Sequence, residues 1–188
     1  MRIVLASESA FRKRAMDMLG VAYEVRPSNI DEKAIRERDP GELTRKLAEA
    51  KAWKIVSECP EAVVVSGDAV AAKDGRIFEK PRDLEEAAGF LRELSGGTFQ
   101  FVTSLAVVDG PTRRMLSTVE TSNISFRSLV EREIQAYILQ YDVLRFAGAF
   151  ESEAVLKFAE RISGSYNFVT ALPVSRLIVF LRELGVEI

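Results

Sequence analysis

Short apolar runs that read as buried strands alternate along this 188-residue chain with segments of helical spacing. The first run is Arg2-Ile3-Val4-Leu5-Ala6, and a second, nearly continuous one covers 62–66. Between them the pattern predicts a helix capped by Ser9 that runs to Leu19 and stops at Gly20. A short strand at Tyr23-Glu24-Val25 ends at Pro27, and a long helix extends from Pro40 or Gly41 to Glu58. Helices interleaved with strands in this way imply an α/β or α+β fold.

The second half refines that class. Gly67-Asp68 reads as the start of a new feature after the strand at 62–66, followed by a hairpin turning at Lys73-Asp74-Gly75. Asp83 is placed to cap a helix over Leu84–Leu94, with Glu86 three residues on as in a capping box. Residues 98–109 and 115–127 read as long strands joined through Gly110-Pro111-Thr112, which argues against a purely parallel sheet. A helix follows at 130–140, then short pieces and polar turns, including Ser163-Gly164-Ser165. Pro173 opens a last helix with Val174, Leu177, Ile178, Leu181 and Leu184 on its core side. No repeat or linker interrupts the pattern, and the length suits a single domain over 1–188.

Composition removes whole classes of chemistry. The chain has no His, which excludes a Ser-His-Asp triad, a Cys-His pair, an HExxH zinc site and a His-ligated haem. Cys59 is the single Cys, so no intrachain disulfide or multi-cysteine cluster forms. With 26 Lys plus Arg against 28 Asp plus Glu, the charge of -2 gives no argument for a stable nucleic-acid or membrane partner. The opening apolar run is too short and wrongly flanked for a signal-peptide core, and no stretch approaches about 20 apolar residues. The expected location is the cytoplasm.

Four polar features stand beside structural punctuation, each with an ordinary reading next to a functional one. Ser7 and Arg12 flank the first strand-to-helix junction, where free backbone N–H groups and a guanidinium suit a phosphate. A plain helix cap with solvated charges explains them equally. Asp68, after a buried strand, is positioned to hold a metal or activate water, or is a turn residue. Lys80, in Glu79-Lys80-Pro81, is directed into a cleft or sits on a surface turn. Glu32 and Lys51 are solvated charges, or join Asp68 and the cations around a metal–polyphosphate complex. No GxxxxGK or GxGxxG sequence is present, so neither a P-loop nor a dinucleotide loop is supported.

Taken in order, these positions resemble the Maf family of nucleoside-triphosphate pyrophosphatases. LASESAFRKRAMDMLG is similar to the family pattern LASxSPRRxxLLxxxG, retaining Ser7, Ser9 and Arg12. The likeness continues through Asp31-Glu32, Lys51-Ala52, Gly67-Asp68-Ala69-Val70, Lys80-Pro81, Leu94-Ser95-Gly96, Glu120-Thr121, Ala147-Gly148-Ala149-Phe150 and 162–169. Ala10 and Phe11 stand where the family has Pro and Arg, Phe99 where it has His, Phe146 where it has Lys, and Thr170 where it has Gly. Ala69 departs from the Asp-Thr pair of dTTP/UTP-cleaving members. The changes at 99 and 146 lead to an expectation of fewer cations in the pocket.

The resemblance implies a strongly curved mixed sheet with flanking helices and a nucleotide cleft between two lobes. It implies hydrolysis of the α–β phosphoanhydride of dTTP, UTP or related pyrimidine or modified nucleotides, giving a nucleoside monophosphate and pyrophosphate. Mg²⁺ or Mn²⁺ would be the cofactor, held by Asp68 and Glu32, and a homodimer is expected. Asp68, Glu32, Lys51 and Lys80 are the residues expected in catalysis, with Ser7, Arg12, Lys51, Lys80 and Ser163 binding substrate. The alternatives are a catalytically weak nucleotide-sensing or cell-division regulatory protein, and a phosphatase that releases orthophosphate.

Overall fold

A computed structural model describes all residues, 1–188. Seven strands, β1 (Ile3–Leu5), β2 (Glu24–Val25), β3 (Val63–Lys73), β4 (Arg76–Phe78), β5 (Thr98–Asp109), β6 (Arg114–Phe126) and β7 (Ala159–Gly164), form one sheet. Their order is β2-β1-β3-β5-β6-β7, with β4 paired to β3 off this path. Five helices accompany them: α1 (Ala10–Asp17), α2 (Pro40–Glu58), α3 (Leu84–Leu94), α4 (Glu131–Gln140) and α5 (Val174–Glu183). The chain divides into two compact units, one of residues 1–68, 103–120 and 170–188, the other of 69–102 and 121–169.

In the first unit β1 pairs in parallel with both β2 and β3, Ile3, Val4 and Leu5 standing opposite Val63, Val64 and Val65. Parallel neighbours require crossovers, which α1 and α2 supply. Because strand side chains alternate, each strand feeds two cores. Ile3, Leu5, Val63, Val65, Leu105 and Val107 pack with Met16 of α1 and Leu177 and Leu181 of α5. Val4, Ala6, Val64, Ala106 and Val108 pack with Ala48, Ala52, Ile55 and Val56 of α2. The unit is thus a sheet between α2 on one face and α1 with α5 on the other. In α5, Phe180 packs on this core in the role expected of Ile178.

The second unit turns at Asp74-Gly75, with φ of 51° and 79°, between Lys73 and Arg76, which pair across the hairpin. Two successive positive φ values define the type I′ turn that an Asp-Gly pair favours. Its core is rich in phenylalanine: Phe78, Phe90, Phe99, Phe101, Phe126, Phe150, Phe158 and Phe168 are all buried. Phe99 meets Phe126 edge-on at 4.8 Å and Phe150 at 5.4 Å. Asp83 caps α3 by accepting the Glu86 N–H at 2.8 Å. The Glu86 carboxylate takes the Arg82 N–H at 2.7 Å and Arg82 Nε at 3.0 Å, so only half of the expected box forms as drawn. Arg92 grips Glu131 through both oxygens at 2.9 and 2.6 Å, fixing α4 to α3 and holding the Glu131 carboxyl down to about 2.

Three expectations are corrected. The sheet is mixed and flanked by helices, but it is an open path from β2 to β7 and is not strongly curved. Strong curvature needs repeated bulges or glycine kinks. The β1–β2, β1–β3 and β3–β4 registers run unbroken, and β6–β7 has one shift, at Ser125/Phe126. Gly67-Asp68 does not follow a strand; it lies inside the eleven-residue β3, because the apolar pattern resumes at Val70 and the backbone continues extended. Ser163 and Gly164 lie on β7 opposite Asn123 and Ser122 rather than in a polar turn.

Phe99 is 2% exposed in this aromatic core. Phe99→His puts an imidazole among apolar rings and should lower folding stability by about 2 kcal/mol or more. Urea unfolding followed by circular dichroism checks this; an unchanged midpoint would remove Phe99 from the core.

Candidate active site

The first unit assembles its polar residues where β1 gives way to α1. Ser9 is the N-cap of α1 and its side chain accepts the Arg12 N–H at 3.5 Å. Ser7 Oγ accepts the Ser9 N–H at 3.2 Å and a hydrogen from Arg12 Nη1 at 3.2 Å. Arg12 Nε donates to the Ala171 carbonyl at 3.1 Å, which fixes the plane of the guanidinium. Burial pushes the Arg12 guanidinium below its ordinary value, while the charges of Asp68 and Glu32 oppose that shift. It stays charged, since an arginine in a protein cannot be deprotonated at accessible pH.

Arg12 lies beside Gly67 of β3, where close packing leaves no room for a side chain. A Cβ on Gly67 would lie 2.6 Å from Leu172 Cδ1, 2.7 Å from the Ser104 carbonyl oxygen and 3.4 Å from Arg12 Nε. The next residue, Asp68, points to the opposite face by the strand alternation and meets α2. Lys51 Nζ stands 2.6 Å from Asp68 Oδ1 and 2.8 Å from Glu32 Oε1. The Lys51 side chain is 7% exposed, that of Asp68 11% and that of Glu32 52%. A buried ammonium without a counter-charge would be strongly unfavourable, so two carboxylates on one Nζ are what allow the helix to bury Lys51. Glu32 opens a single 3₁₀ turn, Glu32–Ala34, capped by the Asp31 side chain on the Lys33 N–H.

Two buried hydroxyls that sequence reasoning missed complete the arrangement. Ser104, 0% exposed on β5, accepts the Asp68 N–H at 3.1 Å and donates to the Thr44 carbonyl of α2 at 2.7 Å. Thr44, also fully buried, returns its own hydroxyl to the Pro40 and Gly41 carbonyls at 3.0 and 3.1 Å. The available signal was a Thr-Ser pair inside the apolar run of 101–108. Of the expected site residues, Ser7, Arg12, Glu32, Lys51 and Asp68 are thus gathered in the first unit. Lys80 belongs to the second unit, exposed just after β4, and so does Ser163, exposed on β7.

The donor set suits a hard divalent cation. Asp68 and Glu32 already converge on one positive atom, Lys51 Nζ, and offer oxygen ligands only. No group of three or more His, Cys, Asp or Glu side chains assembles anywhere. One or two carboxylates, with water and phosphate oxygens supplying the other positions, is the usual way a protein holds Mg²⁺ beside a nucleotide.

Together the fold and this cluster define an α/β protein that gathers a buried carboxylate and ammonium, a half-exposed carboxylate and a partly buried guanidinium around one strand. The chain belongs to the Maf family: the profile of the family described as Maf-like protein matches residues 2–184. It is 36% identical to the dTTP/UTP pyrophosphatase of Chromobacterium violaceum, over all of this chain and 96% of that protein. It is 33% identical to the dTTP/UTP pyrophosphatase of Pelotomaculum thermopropionicum, over 99% of this chain and 98% of that one. The nucleoside triphosphate pyrophosphatase of Trichormus variabilis is 32% identical over 100% of this chain and 95% of its own. The Staphylococcus aureus Ham1 protein shares the fold, with a TM-score of 0.51 at 14% identity over 98% of this chain and all of that one. No helix is long and apolar enough to cross a membrane.

Gly67→Ala tests this close packing. Its Cβ would strike a backbone carbonyl as well as Leu172, and a carbonyl cannot move aside as a side-chain end can. The expected cost is about 1–3 kcal/mol of stability, read from thermal or urea unfolding. A variant as stable as the parent would show that the strand accommodates a side chain here.

Proposed function

We propose that this chain is a nucleoside-triphosphate pyrophosphatase acting on dTTP, UTP or related pyrimidine or modified nucleotides. The reaction adds water across the α–β phosphoanhydride: the water oxygen bonds to Pα, the bond from Pα to the bridging oxygen breaks, and pyrophosphate leaves. The observation that carries this reading is the buried Lys51 ammonium held between Asp68 and Glu32. Relatives named for this activity align with the chain over its whole length, which supports the substrate class.

In this reading Asp68 takes the proton of the attacking water or positions a metal, with Glu32 assisting. Lys51 neutralises charge that grows on the phosphate oxygens, and Arg12, held in plane by Ala171, binds a phosphate oxygen beside Ser7. Lys80 and Ser163 are proposed substrate contacts on the family resemblance alone. A bound Mg²⁺ or Mn²⁺, held by Asp68 and Glu32, would screen the polyphosphate and polarise it toward attack. The absence of His is no obstacle, because carboxylates, an ammonium and a guanidinium meet each requirement of this hydrolysis. The reading includes a homodimer working in the cytoplasm, with no stable nucleic-acid or membrane partner.

Incubation with separate pyrimidine, purine and modified triphosphates, with and without Mg²⁺ or Mn²⁺, should yield monophosphate and pyrophosphate. Orthophosphate with diphosphate would replace the reading by a phosphatase. Asp68→Asn should reduce turnover at least about tenfold, one transition-state contact being worth that much or more. Normal turnover by the folded variant would end the assignment of Asp68. Lys80→Ala should raise KM for the triphosphate, and an unchanged kcat/KM would remove Lys80 from the substrate contacts.

A further inference from the structure

We propose that Ser104 is a positioning residue for the Lys51–Asp68 pair, its hydroxyl fixing α2 to β3 at the level where the two charges meet. The inference rests on the reading above, in which Lys51 and Asp68 act on the triphosphate. Asp68 and Lys51 belong to different elements, and the flexible four-carbon stem of Lys51 does not by itself set the separation of the backbones that carry them. Ser104 Oγ touches both backbones. It accepts the N–H of Asp68 itself, at 3.1 Å, and donates to the Thr44 carbonyl at 2.7 Å, the Asp68 carbonyl being a longer second acceptor at 3.4 Å. Thr44 lies seven residues before Lys51, two turns along the same buried face of α2.

The bridge is specific in its chemistry. It needs an atom that accepts from one side and donates to the other, which a hydroxyl does and a methyl group does not. A nearby residue shows that such bonding is not automatic: Ser66 on β3 is fully buried too, and its Oγ has no hydrogen-bond partner. Thr44 cannot substitute for the bridge, because its own hydroxyl returns to Pro40 and Gly41 in its own helix. Without the bridge, the polar link between α2 and β3 at this level is lost, and the convergence of the two carboxylates on Lys51 at 2.6 and 2.8 Å rests on apolar packing and the ion pair alone. Displacements of about 1 Å in a catalytic arrangement can cost on the order of a hundredfold in rate.

The test compares Ser104→Ala and Ser104→Thr with the parent in full kinetics of pyrophosphate release, and determines the crystal structure of the alanine variant. Expected are a fall in kcat of about tenfold or more with KM nearly unchanged, recovery of most of that loss by Ser104→Thr, and a Lys51–Asp68 separation lengthened beyond hydrogen-bonding distance. Ser104→Cys, with a sulfur that bonds poorly, replaces the alanine variant if that does not fold. An unchanged kcat, or a reduced kcat with the pair still at its original separation, would overturn the proposal. Lys51→Ala is measured in parallel. If it turns over normally, the assignment of Lys51 has failed; if it is impaired while Ser104→Ala is not, only the positioning role has.

Discussion

The contact on which the first unit depends is the one between Lys51 and Asp68. An ammonium buried to this degree is tolerable only with its counter-charges in contact, and those come from β3 and from the 3₁₀ turn at Glu32. The ion pair therefore constrains the helix, the strand and the loop together. The rest of α2 is consistent with that role: its inward face carries Ala48 and Ala52, small enough for the helix to lie close to the sheet. Removal of either partner would leave a buried charge without its nearest counter-charge. Function and folding thus draw on the same few atoms.

The alternation of strand side chains gives this contact its geometry. Val63, Val65 and Gly67 face α1 and α5, while Val64, Ser66 and Asp68 face α2, so the guanidinium of Arg12 and the ammonium of Lys51 approach β3 from opposite sides. A one-residue slip in register would exchange those faces and put Asp68 into the core under α5. The unbroken pairing of Ile3-Val4-Leu5 with Val63-Val64-Val65 holds the register through fully apolar pairs. Just beyond these pairs, at Gly67-Asp68, the strand exchanges packing for chemistry.

Much of this was legible in the residues because it is local. The Asp-Gly hairpin, the Asp83 cap and the interleaving of strands with helices each follow from short-range backbone preferences. What was not legible depends on partners distant in sequence. The continuity of β3 through Gly67-Asp68 depends on its neighbour β5, and a Gly-Asp pair alone resembles a turn. Ser163 resembled a loop residue for the same reason, until Asn123 paired with it. The Ser104 bridge joins residues 36 and 60 positions away, so no local pattern announces it. Five of the residues singled out from the family resemblance, Ser7, Arg12, Glu32, Lys51 and Asp68, lie together in the first unit. Phe99 shows the reverse limit: it looked like a cation lost from a pocket and is a ring in an aromatic core.

The aromatic residues are also divided unequally, which makes the two units optically distinct. The single tryptophan, Trp53, is on α2 in the first unit, with the Arg113 guanidinium 4.6 Å from its ring centre. The second unit has no tryptophan and is packed instead with phenylalanine and Tyr137. Emission excited at the red edge of the indole band therefore originates in the first unit alone, two residues along the helix from Lys51. The protein carries its own reporter for the half of the molecule in which the charges meet, and the other half is silent in that signal.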